Sequence, residues 1–293
     1  VLAYTALFEG IGFILFLFIF VPEFGLFKGL FTSLFTSVSA FCNAGMDTLG
    51  STSLEKYLTH PLMNFTVCFL IITGSLGFAV WFDLKDALDK VIQKKKSFKR
   101  ILRELTLHSK LVLVSTGFLL LSMTLYVVLN EWNNPLTLGN LSFGNKLMAS
   151  FFQSTTLRTA GFVTIPQANF KLATAFLMCF WMIIGGSPGG TAGGIKTTTV
   201  VIIFLTIYSY LRHGEHVDPK AFKRSIPVST FMKAMSIIGL YIGILTIALI
   251  GLMMSEDAEM IALFYEAFSA IGTVGLSMGL TGSLSVMGKI IIM

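Results

Sequence analysis

Residues 177–205 read LMCFWMIIGGSPGGTAGGIKTTTVVIIFL. Two strongly apolar runs flank Gly185–Lys196, a segment holding six glycines, one proline, two hydroxyl residues and a lysine. Either flank suits lipid. The middle does not, because glycine-rich backbone in hydrocarbon leaves N–H and C=O groups without partners. The stretch therefore reads as a membrane helix interrupted at its centre, with the interruption turned toward water or protein.

Composition agrees with a membrane setting. The 293 residues are 54% hydrophobic and 12% charged, with a mean hydropathy of +0.80. That charged share is about half the roughly 25% of soluble proteins. Apolar windows close to the length of a spanning helix lie at 1–21, 62–82, 111–129, 172–184 with 200–210, and 231–254. The chain opens on Val1 and stops inside the apolar run 286–293, so it is expected to be a piece of a longer protein. Cys42, Cys68 and Cys179 show neither CxxC nor metal spacing and lie in or beside apolar segments, which predicts no disulfide framework.

A net charge of +6 raises the question of nucleic acid, and its distribution answers it. Nine of the 21 Lys and Arg residues fall between Lys85 and Lys110 and five between Arg212 and Lys233. Such clustering in two loops is the positive-inside bias, and it places both loops in the cytoplasm. No aromatic platform interleaves the lysines of KKKSFKR, so no nucleic-acid partner is expected.

With those loops inside, helices run outward and inward in alternation. Each pair is joined outside by a short apolar stretch: GLFTSLFTSVSAF, FGNKLMASFFQSTTL and MIALFYEAFSAI. These are too short to span and read as re-entrant helices. They are also related. FTSVSAFCNAGM (35–46), FFQSTTLRTAGF (151–162) and YEAFSAIGTVGL (265–276) share an aromatic ten residues before a glycine. They also share Ser or Thr six before it, and Asn or Thr two before it. The reference glycines, Gly45, Gly161 and Gly275, are 116 and 114 residues apart. Three copies of helix, re-entrant helix, glycine loop and helix form an internal repeat, the usual construction of a pseudo-symmetric transport pathway. One more step back from Gly45 falls before residue 1, so a first copy is expected to lie outside this chain.

The physics of such loops favours a cation. A re-entrant helix aims its partly negative C-terminus at the membrane centre. Glycine beyond it permits dihedrals that turn successive carbonyls to one side, and rings of carbonyls replace a hydration shell in potassium filters. Acidic side chains are scarce there, Asp47 and Glu266 being the nearby ones, which suits a monovalent ion better than calcium.

The motifs SAFCNAGM, TTLRTAGF, SAIGTVGLSMGLT and GGTAGGIKTTT resemble the Trk/Ktr/HKT superfamily of potassium transporters, most closely the Ktr membrane subunit (KtrB-like), over nearly the whole chain. The resemblance implies an all-α integral membrane protein with tandem helix–pore-loop–helix repeats around a pseudo-fourfold ion pore. By resemblance 1–85 is the second of four repeats. The third is 86–228, with cytoplasmic flanks and an intramembrane gate loop at 185–196, and the fourth is 229–293, truncated in its last helix. The same resemblance implies filter backbone at Asn43, Ala44, Gly45, Thr159, Ala160, Gly161, Thr273, Val274 and Gly275. It implies a gate at Gly185, Gly186, Ser187, Gly189, Gly190, Thr191, Ala192, Gly193, Gly194 and Lys196. Lys196 has two readings of equal standing: it pairs with pore-lining carbonyls, or it flanks the resumed helix and snorkels. Potassium is the implied transported ion. Sodium enters as a coupling or regulatory ion, and filter preference between the two depends on the repeat outside this chain.

Other readings of the same residues fare worse. Gly185–Gly189 satisfies G-x-S-x-G, but the nucleophile elbow needs the N–H of the residue after serine, and Pro188 has none. A phosphate loop needs glycine immediately before Lys196, where Ile195 stands. No enzyme activity is expected. HGEHVD (213–218) reads as solvated loop before metal site. An ion-coupled secondary transporter of another class and a potassium-pump subunit of like architecture stay as alternatives, and a non-transporting scaffold gives no reason for intramembrane loops. The resemblance adds membrane lipid, a homodimer and a cytosolic nucleotide-binding regulatory ring as partners, docked at 85–110 and 211–224, and a bacterial plasma (inner) membrane location. For those two loops a purely topological role stands beside docking.

Overall fold

The first helix, α1 (Leu2–Phe24), turns back at Gly25 into α2 (Leu26–Phe41), and the two pack along their length as a hairpin. The computed structural model describes residues 1–50, 52–93, 104–213, 220–221, 224–225 and 227–293. Among the described residues the further α-helices are α3 (Pro61–Ser75), α4 (Phe78–Gln93), α5 (Leu107–Glu131), α6 (Phe143–Thr156), α7 (Leu172–Ile183), α8 (Thr197–His213), α9 (Val228–Ser255), α10 (Met260–Gly272) and α11 (Val286–Ile292). A two-residue hairpin, Lys220–Ala221 against Arg224–Ser225, is the one strand pair among the described residues. The all-α expectation stands. The lysine-rich 94–100 and most of HGEHVD lie outside the described residues.

Helices α1, α5 and α9 are each long and apolar enough to cross a membrane. The expected single span over 62–82 is corrected: α3 and α4 meet at a 93° bend. Its cause is Gly77, whose φ of 82° is costly for any residue with a Cβ, at a point where a Cβ would stand 2.6 Å from the Pro188 carbonyl. Helix starts are chemically marked. His60 Nδ1 accepts from the Met63 N–H ahead of Pro61, and Thr106 Oγ1 accepts from the Ser109 N–H. Where α11 starts, the Ser285 hydroxyl donates to Glu256, and that bond holds the Glu256 carboxyl below its usual range.

The re-entrant helices α2, α6 and α10 bury polar faces, the reverse of a soluble core. Their hydroxyls donate to backbone carbonyls, Ser33 to Gly29 and Ser150 to Lys146 at 2.7 Å within the helix. Others cross to the neighbouring span, Ser37 to Glu9 at 2.7 Å and Ser154 to Leu120 at 2.8 Å. Around them lie apolar clusters, two of them large. One joins α1, α2 and α3 through Phe16, Phe20, Phe41 and Leu70, and the other joins α5, α6, α7 and α10 through Met123, Met178 and Phe268.

At the C-terminal end of α5 the carboxylate of Glu131 is fully buried. It accepts from Asn134 Nδ2 at 2.6 Å, Thr137 Oγ1 at 3.0 Å, the Lys171 N–H at 3.0 Å and the Thr174 hydroxyl, so it ties the 132–142 segment to the start of α7. Glu131→Ala strands these donors and is expected to lower stability by about 2–4 kcal/mol. Thermal unfolding of the detergent-solubilised protein checks this, and a melting temperature within a degree of wild type would refute the role.

Candidate functional site

Each re-entrant helix stops just short of a non-helical segment, called a strand below although it joins no β ladder, with one backbone signature. Asn43, Thr159 and Thr273 adopt φ of 53°, 64° and 55°, and the glycines two residues later, Gly45, Gly161 and Gly275, adopt 67°, 85° and 86°. Among described non-glycine residues Ser53 alone joins those three in having positive φ. Left-handed geometry on a Cβ-bearing residue is uncommon and costs energy, so its recurrence at one position in three segments is a designed feature. The intervening Ala44, Ala160 and Val274 are not left-handed, so the hand alternates along each strand.

The strands lie side by side in chain order. A Cβ on Gly45 would stand 2.3 Å from the Ala160 carbonyl oxygen and 2.8 Å from Gly161 Cα. One on Gly161 would stand 2.5 Å from the Val274 oxygen. The same step is thus repeated from the first strand to the second and from the second to the third. The middle strand is sealed, with 157–162 buried throughout, whereas Ala44, Thr273 and Gly275 on its two neighbours are exposed. A groove of about 400 Å³ lies beside the first strand, lined by Phe31, Phe35, Val38, Ala44 and Met46 among others.

Polar side chains fix the strand ends. Ser39 Oγ donates to the Met46 carbonyl at 2.6 Å, and Thr156 Oγ1 to the Phe162 carbonyl at 2.7 Å, each the residue after the glycine. In the third copy a carboxylate does this work, since Glu266 accepts from Ser277 at 2.9 Å and from Thr281. Neighbouring units are tied by Gln167, whose Oε1 accepts from Gln153 Nε2 at 2.7 Å and Tyr265 OH at 2.8 Å. The C-termini of α2, α6 and α10 point their negative dipole ends at these strands.

The loop Gly185–Gly194 sits directly against the strands at Asn43, Thr159 and Thr273. Thr191 Oγ1 meets Asn43 Oδ1 at 3.3 Å and donates to the Phe41 carbonyl at 2.8 Å. The Gly193 N–H donates to Thr159 Oγ1 at 3.0 Å, and a Cβ on Gly193 would stand 1.7 Å from Thr273 Oγ1. All three left-handed residues therefore face the loop. Its neck is closed by Gly185 N–H to the Ile195 carbonyl at 3.0 Å and Ile195 N–H to the Ile183 carbonyl at 2.8 Å. Its middle hangs on the end of α3, with Ser187 N–H to Ser75 and Thr191 N–H to Gly74, both at 3.0 Å. Close approach, more than looseness, explains these glycines: a Cβ on Gly186 or Gly190 would press within 2.7 Å of the Ser75 carbonyl.

The structure thus brings all nine strand residues and the loop into one place. Lys196 Nζ donates to the Ala192 carbonyl at 2.6 Å, a bond to the backbone of its own loop. Ser187 is buried, and its hydroxyl donates to the Ser75 and Leu76 carbonyls, which leaves no nucleophile elbow. The cysteines are free, and no His/Cys/Asp/Glu cluster fit for a metal occurs among the described residues. Sequence reading overlooked Gly74, Ser75, Gln153, Gln167 and Arg158. Of these, Arg158 carried a signal, as a charge inside an apolar motif.

Comparison with known proteins adds lineage to geometry. The TrkH family profile, described as cation transport protein, matches residues 1–293. The chain is 37% identical over 283 residues to Ktr system potassium uptake protein B of Vibrio alginolyticus, covering 97% of this chain and 59% of that protein. It is 35% identical over 298 residues to potassium/sodium uptake protein NtpJ of Enterococcus hirae, covering 100% and 62%. The crystal structure of the potassium transporter TrkH from Vibrio parahaemolyticus superposes with a TM-score of 0.71 at 17% identity, over 96% of this chain and 57% of that one. The chain therefore spans about three fifths of the length of these three proteins.

Proposed function

Because this chain belongs to the TrkH family of cation transport proteins, a multi-pass membrane family, we propose that it carries three of the four filter strands and the gate of a potassium uptake pathway. The observation that carries the reading is the triple recurrence of a left-handed residue and a left-handed glycine, packed strand against strand over one loop. In this reading the backbone carbonyls of 43–45, 159–161 and 273–275 face a common axis and replace the hydration shell of potassium. A fourth strand from the rest of the protein closes the open flank beside Ala44 and Gly275. The loop 185–194 is the barrier on the inner side. The repeats divide at 1–85, 86–228 and 229–293.

No covalent chemistry is assigned, since the one serine in a hydrolase-like context spends its hydroxyl on two carbonyls. Potassium is the transported ion. The name of the Enterococcus relative, potassium/sodium uptake protein, keeps sodium in place as a coupling or regulatory ion. The names of the Ktr-system relatives, bacterial uptake proteins called part of a system, fit a further subunit; we infer a homodimer on a cytosolic nucleotide-binding ring, docked at the basic loops 85–110 and 211–224, in a bacterial plasma membrane. Lipid or a second copy covers α9, whose spanning window is only 6% buried within the chain.

Orientation is tested by cysteine labelling of intact cells at Gln93 and Gly50. The reading expects Gly50→Cys to label from outside and Gln93→Cys to label only after permeabilisation; the reverse pattern would invert it. Function is tested by expressing the full-length protein in cells lacking potassium uptake, where growth at low potassium is expected and failure to grow with the protein in the membrane would count against it.

A further inference from the structure

Arg158 is the largest fully buried side chain, 1% exposed, three residues before Gly161. A guanidinium keeps its charge at any working pH, and a buried charge is costly unless bonded. Here Nη2 donates to the Gly185 carbonyl at 3.4 Å, while Nε and Nη1 have no partner. No carboxylate pairs with it among the described residues, where Lys56–Glu23 is the one ion pair.

Its surroundings give this costly placement a purpose. The Arg158 carbonyl accepts from Asn43 Nδ2 at 3.3 Å, which binds it to the neighbouring strand. Thr159, next in sequence, accepts from the Gly193 N–H at 3.0 Å. Consecutive residues of one strand therefore hold both legs of the loop, Arg158 at its first residue and Thr159 near its last. Gly185 and Gly193 also touch, since a Cβ on Gly185 would stand 1.8 Å from the Gly193 oxygen.

We propose that Arg158 is the positioning residue that holds the 185–194 loop closed against the middle strand, through the Gly185 carbonyl. The proposal rests on the reading of that loop as the gate. A single long bond gives a hold that is specific and breakable, and the idle Nε and Nη1 donors leave the guanidinium undercompensated while the loop is shut. The arrangement is a latch poised for release, with filter carbonyls untouched by it.

The test measures potassium flux and potassium/sodium preference of the full-length protein in liposomes. Arg158→Met, Arg158→Lys and a deletion of Gly186–Gly193 are compared singly, with Arg158→Met also combined with the deletion. Loss of a hydrogen bond to a charged group, weakened here by its length, is expected to raise flux about three- to tenfold in Arg158→Met. Ion preference should stay within about twofold, and Arg158→Lys, which keeps a cationic donor, should run near wild type. In the deletion background Arg158→Met should add nothing, because residues acting through one contact are not additive. If Arg158→Met fails to fold, Arg158→Gln serves, being too short to reach Gly185. Unchanged or lowered flux, or an equal gain with and without the loop, would overturn the latch. A deletion that leaves flux at the wild-type level would overturn the gate reading itself, a distinct outcome.

Discussion

Gly161→Ala is expected to cut selective potassium uptake by at least about tenfold, as is Gly45→Ala. At Gly161 the new methyl would stand 2.5 Å from the Val274 oxygen with φ at 85°, and at Gly45 it would stand 2.3 Å from the Ala160 oxygen with φ at 67°. Neither clash can be relieved by turning a side chain, because backbone is met in both cases. Overpacking of this kind costs about 1–3 kcal/mol before the left-handed penalty, and relief requires the carbonyls themselves to move. Gly275→Ala meets only Gly161 Cα at 3.8 Å within this chain, so a smaller loss is expected there. Uptake of labelled potassium with sodium as competitor measures all three. Wild-type affinity and preference in the Gly45 and Gly161 variants would remove these strands from the ion pathway.

Deletion of Gly186–Gly193 is expected to raise potassium flux by about tenfold or more, the effect of removing a barrier worth ~1.4 kcal/mol or greater. The loop is held by backbone bonds to Gly74 and Ser75 and by contacts to Asn43, Thr159 and Thr273, so its absence opens the space beneath every strand. Those contacts refine what sequence alone suggests. A loop 24 residues beyond Gly161 reads as an element apart from that strand, yet the Gly193 N–H bonds directly to Thr159 Oγ1. A fall in potassium/sodium preference of about two- to threefold is therefore expected with the gain in flux, as the inner residues lose their partners. Flux and regulation at wild-type levels in a folded deletion variant would place the barrier elsewhere.

Much of this arrangement was legible in residues because it is local. Length and hydropathy delimit α1, α5 and α9, and the shared spacing of aromatic, hydroxyl and glycine in 35–46, 151–162 and 265–276 locates three equivalent turns. The glycine-rich break between α7 and α8 announces itself by composition. What stayed hidden depends on neighbours distant in sequence. The bend after Ser75 is invisible to a hydropathy window, since glycines such as Gly74 and Gly77 in an apolar run are tolerated by helices, and the left-handed φ and close approach to Pro188 at Gly77 appear only in the fold. Ser75 looks like a helix hydroxyl until the loop arrives to use its carbonyl. Glu131 looks like an ordinary helix end, and two of its four donors, the Lys171 N–H and the Thr174 hydroxyl, arrive from the start of α7.

The most direct measurement is the position of a heavy potassium substitute in crystals of the full-length protein, by anomalous scattering from rubidium or thallium. The account requires a peak on the axis bounded by Gly45, Gly161 and Gly275, within coordinating reach of the backbone carbonyls of 43–45, 159–161 and 273–275. That peak should fade when potassium is added and persist when sodium is added at the same concentration. An axis without bound ion, with the substitute held instead at the Glu266 carboxylate or elsewhere, would contradict the assignment of these strands as the filter.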